Sequence, residues 1–327
     1  MQVYLAFPLY TVSLSEITRG ALELKRRIAS MLFLLALMVN FSCGSKPPDE
    51  PIPLSVVATF LPLQVFAANV IGTRQGVVLD RLLPAQGIDP HNYSMSPKDV
   101  SKLWDADVVI TNGFGFEAWL GDTINDIKTE CLVITASDGI TPIYYGKDSA
   151  ENEAEHKGDI NPHCWASPKS AIKMVENIRD GLIKADPAGA EIYKANAENY
   201  INRLKALDAQ ITEALAGRSK RGIVTFHNAF DYVARDYGLN IIAVIETHAG
   251  QQPSAGELAK LANLMKESDV RFVFAEPQYP AKVADVLAKE TDAEVLILDP
   301  YASGEFSLDG YESIWQANLK NLAEALS

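Results

Sequence analysis

The feature that most constrains this chain is an alternation that occurs twice, in which short β-branched runs are separated by amphipathic helical patterns. The first set of runs is Leu54 to Thr59, Val77 to Leu83, Asp107 to Thr111 and Leu132 to Thr135. The second is Gly222 to Thr225, Ile241 to Ile245, Arg271 to Ala275 and Glu294 to Leu298. Such runs read as βα units, whose crossover helices bury both faces of a parallel sheet. Helix starts are legible at Ser96-Pro97, Ser167-Pro168 and Asp186-Pro187, where a capping side chain precedes a proline at the first helical position. Ser254 and Glu257 have the spacing of a capping box. Between the two sets, Tyr193, Ala197, Tyr200, Leu204, Leu207, Ile211 and Leu215 recur at steps of three and four, giving one apolar stripe over residues 188–216. A helix of that length spans about 43 Å, enough to run the height of two lobes. It lacks the sustained charge pairs of a coiled-coil partner helix. The expected fold is therefore α/β, with two lobes (54–187 and 217–327), each a four-stranded mainly parallel sheet flanked by helices. One long rigid helix (188–216) joins them and resists wide hinge motion.

Three of the five histidines sit in separate motifs, Asp89-Pro90-His91, Asn161-Pro162-His163 and Phe226-His227-Asn228, and Asp299-Pro300 follows them. The steps between His91, His163, His227 and Asp299 are 72, 64 and 72 residues, so these groups meet only if distant loops converge. His91, His227 and Asp299 each follow a strand, His163 follows an acidic loop, and ligands of open α/β sheets collect beyond the carboxyl ends of strands. Two groups from each lobe would then face one another across a cleft. Three imidazoles and a carboxylate form a closed shell for a borderline divalent cation such as Zn²⁺, with affinity expected to weaken as pH falls through about 6.5. A zinc hydrolase would keep a coordination position open and place a base beside it. No His-Glu-x-x-His helix occurs and Asp299 fills the fourth place, so an enzyme is not expected and a hydrolase is the distant alternative. An adhesin with incidental metal binding is a third class.

Lys25, Arg26 and Arg27 precede the apolar run Met31 to Val39, and Ser42-Cys43 follows, which reads as an export signal, residues 1–43, too short to remain in a bilayer. Cys43 is the candidate lipid-modified residue, although Asn40 occupies the position where an aliphatic residue is usual. Residues 44–53 read as a flexible tether. The formal net charge is −13, and removing residues 1–42, with four basic and two acidic side chains, leaves about −15. That balance makes nucleic acid a poor partner. Cys131 and Cys164 have two readings, a disulfide of an exported protein or two small buried hydrophobes. His248 reads as a surface-loop histidine, and Trp104, Trp119 and Trp165 as core or cleft wall.

These residues resemble the metal-binding receptors of bacterial ABC importers for zinc and manganese. The resemblance runs from Val56 to the C-terminus. It rests on Asp89-Pro90-His91 with Tyr93 and Pro97, Asn112-Gly113 with Glu117, and Asn161-Pro162-His163-Cys164-Trp165. It continues through Asp186-Pro187, Phe226-His227-Asn228-Ala229-Phe230, Ala275-Glu276-Pro277-Gln278 and Leu298-Asp299-Pro300. It implies one metal held between two lobes by His91, His163, His227 and Asp299, and delivered to a membrane permease by a monomeric receptor. The expected location is the periplasm or cell surface, with attachment to the membrane through Cys43. Histidine at position 227, where manganese-type members often carry a carboxylate, points to Zn²⁺, with Mn²⁺ or Fe²⁺ as alternatives. Two departures stand out. The loop Asp148 to Asp159 is acidic and holds only His156 instead of a histidine-rich tract. Asn161 stands where an acid is common, which bears on how His163 is oriented. Glu276 is expected to cap a helix or support a ligand.

Overall fold

The structure, a computed structural model, describes residues 53–85, 90–121, 123–126, 131–145, 159–218, 222–246 and 253–327. The export segment with Cys43, most of the acidic loop including His156, and His248 lie outside these residues.

Each set of β-branched runs forms one parallel sheet. The first contains β1 (Leu54–Ala58), β2 (Val77–Arg81), β3 (Val108–Thr111) and β4 (Leu132–Thr135), in the order β2-β1-β3-β4. The second contains β5 (Gly222–Thr225), β6 (Asn240–Val244), β7 (Phe272–Ala275) and β8 (Glu294–Ile297), in the order β6-β5-β7-β8. The topology is the same in both. The order reverses between β1 and β3 and again between β5 and β7, and such switch points leave a crevice at the carboxyl ends of the strands. Val108, Val109, Ile110 and Thr111 of β3 are all buried, as expected of a central strand covered by helices on both faces.

The longer helices are α1 (Leu61–Ile71), α2 (Pro97–Trp104), α3 (Pro168–Ala185), α4 (Ala190–Leu215), α5 (Asp231–Tyr237), α6 (Ala255–Glu267), α7 (Lys282–Thr291) and α8 (Gly310–Ala325), with a single helical turn at Thr123–Asp126 before β4. The seven stripe residues of α4 are all buried, and α4 packs along α1 and α3 and against α8. The capping boxes at Ser96 with Asp99 and at Ser254 with Glu257 are both formed. Two other expected caps are not. The Ser167 hydroxyl donates to Asp236 Oδ2 (2.5 Å) instead of capping α3. Asp186 precedes a short 3₁₀ turn, and its carboxylate accepts from Arg74 (2.8 Å) and Tyr193 (2.7 Å). In both cases a longer-range charged or buried partner outcompetes the local backbone N–H.

Hydrogen bonds fasten the segment before α3 to the second half of the chain. Tyr232 Oη donates to Asn161 O (2.8 Å), Trp165 Nε1 to Pro300 O (2.9 Å) and Tyr311 Oη to Trp165 O (2.8 Å). Arg235 donates to Thr141 O (3.0 Å), and Gly304 N–H to Ala85 O (2.8 Å). Opening the halves would break several buried bonds together, each costly to leave unmade.

Candidate metal centre

His91 lies in a 3₁₀ turn (Pro90–Asn92) after β2, His163 begins a 3₁₀ turn (His163–Ala166) before α3, and His227 lies two residues beyond the end of β5. Their donor atoms all lie within 4.8 Å of one another. Nε2 of His163 stands 3.0 Å from Nε2 of His91 and 3.2 Å from Nε2 of His227. Two Zn–N bonds of ~2.05 Å at the tetrahedral angle place their nitrogens about 3.3 Å apart. Both separations from His163 therefore stand close to what one tetrahedral cation requires.

Supporting groups fix two of the three tautomers. Asn161, fully buried, uses its amide nitrogen to donate to Asn228 O (2.8 Å) and Asp231 Oδ2 (2.7 Å), both acceptors. Its Oδ1 must then accept, and it faces both His163 N–H (2.9 Å) and His163 Nδ1 (2.8 Å). The His163 proton is thereby assigned to Nδ1 and the lone pair to Nε2. Glu276, buried at the end of β7, acts likewise on His227: its Oε1 lies 2.5 Å from Nδ1 and accepts from His227 N–H at 3.2 Å. Gln278 Nε2 holds the other carboxylate oxygen at 2.7 Å. With both protons on Nδ1, the 3.2 Å contact between Nε2 of His163 and His227 brings two lone pairs together, an arrangement that a cation between them relieves. Burial, then the nearby His227 and His91, holds the His163 imidazole well below its ordinary pKa, so it offers a neutral nitrogen.

An aromatic wall backs the site. The Trp165 ring lies 5.1 Å from His163 and packs edge-on against Phe60 (4.7 Å) and Phe116 (4.9 Å). Phe116 packs edge-on against His91 (5.3 Å), and Tyr279 against His227 (5.5 Å). Behind it, Glu117 accepts from Thr59 Oγ1 (2.8 Å), Asn112 N–H (2.6 Å) and Gly113 N–H (3.2 Å). Asn112 in turn donates to Pro162 O (2.9 Å), next to His163. The loop turns through Gly113 at φ 89°, which strongly favours glycine, and through Phe114 at φ 56°. Burial outweighs the three donors and pushes the Glu117 carboxyl up to about 7. Glu117→Ala strands those donors and is expected to cost about 3 kcal/mol, read as a lower urea midpoint at unchanged slope.

Residues 56–325 match the family described as zinc-uptake complex component A, periplasmic (ZnuA). The chain belongs to the ZnuA family. Zinc-binding protein AdcA of Streptococcus pyogenes is 34% identical over 292 residues, 85% of this chain and 56% of AdcA, so the chain spans about half the length of that relative. Iron-binding protein YfeA of Yersinia pestis is 32% identical over 302 residues, covering 90% of this chain and 92% of YfeA. The Zn(II)-bound ZnuA-like domain of Streptococcus pneumoniae AdcA superimposes with a TM-score of 0.71 at 30% identity, covering 84% of this chain and 99% of that domain.

In this ZnuA-family chain the fourth sequence candidate, Asp299, lies outside the close set of the three imidazoles. It follows β8, and its Oδ1 accepts from Tyr301 N–H (2.7 Å) while Asn318 clasps its backbone (2.9 and 2.8 Å). Tyr301 adopts φ 59°, an uncommon conformation for a non-glycine residue, in the turn that aims this carboxylate. Burial and the nearby Glu276 charge raise the Asp299 carboxyl to about 6, with the Tyr301 N–H opposing them. Cys164 is free and wholly buried, in keeping with its buried-hydrophobe reading, and its sulfur lies 3.8 Å from Asn112 Oδ1, whereas Cys131, just before β4, is only half-buried. Trp165 is wholly buried, but Trp104 is 44% exposed, which corrects its reading as core; it is the last residue of α2, and the neighbouring Leu103 is the one buried. Sequence reasoning missed Asp231 and Tyr232. Both lie at the start of α5, where an acid in the first turn reads as ordinary helix chemistry.

Proposed function

We propose that this chain is an extracytoplasmic receptor that captures one Zn²⁺ with His91, His163, His227 and Asp299 and delivers it to an ABC-type permease. The observation that carries the reading is the convergence of three Nε2 atoms on one point, two of them with their protons pinned on the far nitrogen. Asp299 would complete the shell as its carboxylate ligand. Residues 54–187 and 217–327 form the lobes on either side of helix 188–216, and residues 1–43 direct export, with Cys43 as a lipid anchor. The zinc-binding names and the zinc-bound domain among the relatives support the metal. A second reading, an iron or manganese receptor, is favoured by the iron-binding name of YfeA, which this chain matches over nearly its whole length. Among the described residues no helix is long and apolar enough to cross a membrane.

Competitive titration of the apoprotein with Zn²⁺ and Mn²⁺ tests this. One zinc per chain that excess manganese does not displace is expected. Preferential manganese or iron overturns the metal, and no binding overturns the site.

The pH dependence follows from two groups. His163, held well below its ordinary value, is already neutral at pH 6.5, so its protonation does not weaken binding there, contrary to the simple imidazole expectation. Asp299, with its carboxyl at about 6, must lose a proton to ligate below that pH. Its contribution to affinity is therefore fully present only well above pH 6 and declines as pH drops through it, approaching tenfold per pH unit for one competing proton. Calorimetry at pH 6 in buffers of different ionisation enthalpy should register proton release that Asp299→Asn diminishes. Identical release in the variant would remove Asp299 from the shell.

A further inference from the structure

The two pinned imidazoles are supported differently. His227 rests directly on the Glu276 carboxylate, whereas His163 rests on a neutral amide, Asn161, fully buried and in contact with a carboxylate on its other side. The chain of contacts is continuous: Asp231 Oδ2 to Asn161 Nδ2 at 2.7 Å, then Asn161 Oδ1 to His163 Nδ1 at 2.8 Å. A carboxylate that accepts from an amide N–H draws electron density toward the amide oxygen and makes it a better acceptor, since hydrogen bonds in series polarise one another. A better acceptor on Nδ1–H makes Nε2 a stronger donor to a metal.

We propose that Asp231 and Asn161 form a polarising relay that fixes the His163 tautomer and strengthens its Nε2 as a metal donor, without any proton changing place. Both are positioning residues, and the inference rests on His163 being a ligand. The relay also spans the two halves of the chain. Asn161 and His163 precede α4, whereas Asp231 follows it, and the second amide hydrogen of Asn161 goes to Asn228 O, one residue from His227. The spacing between His163 and His227 and the donor strength of His163 are thus set by one amide group, so His163 reaches full strength only when the halves are in register. Tyr232 reinforces this by accepting from Ile143 N–H (3.1 Å) and donating to Asn161 O (2.8 Å). A carboxylate directly behind His163, matching Glu276, would give a stronger but permanently charged support; the amide lets the charge act at one remove.

The test uses the full chain, Zn²⁺ competed against a chromophoric chelator, and ¹⁵N spectra of the imidazoles. With five histidines in the chain, subtraction of the His163→Ala spectrum assigns the His163 signals. The wild-type apoprotein should show His163 protonated on Nδ1, although free imidazole favours the other tautomer. Asp231→Asn keeps size and one acceptor, and should leave that tautomer in place while weakening Zn²⁺ binding roughly three- to tenfold; Asn161→Ala should release the tautomer and cost 10- to 100-fold. The paired exchange Asn161→Asp with Asp231→Asn places the charge directly against Nδ1 and, although it loses the donation to Asn228 O, should bind more tightly than Asp231→Asn alone. This result separates the relay from a purely structural role and does not depend on Asn161→Ala folding. Wild-type affinity in Asp231→Asn, or a His163 tautomer indifferent to Asn161, overturns the relay while leaving the receptor intact. Unchanged zinc binding in His163→Ala instead overturns the ligand assignment on which the relay depends.

Discussion

Replacing His163 with alanine is expected to weaken Zn²⁺ binding by about two to three orders of magnitude while leaving a folded apoprotein. Structural zinc sites bind with roughly 10–16 kcal/mol over four ligands, so one ligand carries about 3–4 kcal/mol. His163 is the strongest case because its Nε2 is the common neighbour of the other two, at 3.0 and 3.2 Å, and because burial keeps it neutral. The fold should survive because the relieved crowding of lone pairs offsets part of the lost packing against Trp165. Chelator competition gives the affinity and circular dichroism the fold. A weakening under tenfold would show that His163 lies beside the metal without binding it.

Replacing Trp165 with alanine should produce the largest loss of stability. The side chain is wholly buried, packs against Phe60 and Phe116, and donates to Pro300 O from the other half of the chain. Truncating such a residue costs about 3–5 kcal/mol in cavity and transfer terms. In a chain of this size each kcal/mol lowers Tm by about 2–4 °C, so a fall of roughly 10 °C is expected by calorimetry of the apoprotein. The wall behind His163 is removed too, so zinc affinity should decline with stability. Trp165→Phe, which keeps the ring packing but loses the N–H, isolates the bond to Pro300 as the smaller part. A Tm within 3 °C of wild type in the alanine variant would mean the wall collapses without leaving a cavity.

Much of this molecule was legible in local patterns. The eight β-branched runs became eight strands within two residues at each end, most securely at the central strands β1, β3, β5 and β7, which are largely buried and so have few sequence solutions. The stripe on α4 is buried at each of its seven positions because one face of a long helix cannot be left in water. The three histidines converge as the strand-end rule anticipates. Where prediction failed, a distant partner had displaced a local one. Ser167 and Asp186 read as helix caps, yet each spends its oxygen on a residue far along the chain, Asp236 and Arg74.

The sequence by itself determined the two parallel sheets, the helix between them and which three histidines stand out as candidates to meet, because these follow from periodicity and residue chemistry within short windows. Only the tertiary structure decided which imidazole nitrogen carries the proton, why His163 stays neutral, and that Asp231 stands behind Asn161. Those properties depend on hydrogen bonds between residues 49 to 70 positions apart and on burial in a low-dielectric wall, which no local pattern encodes.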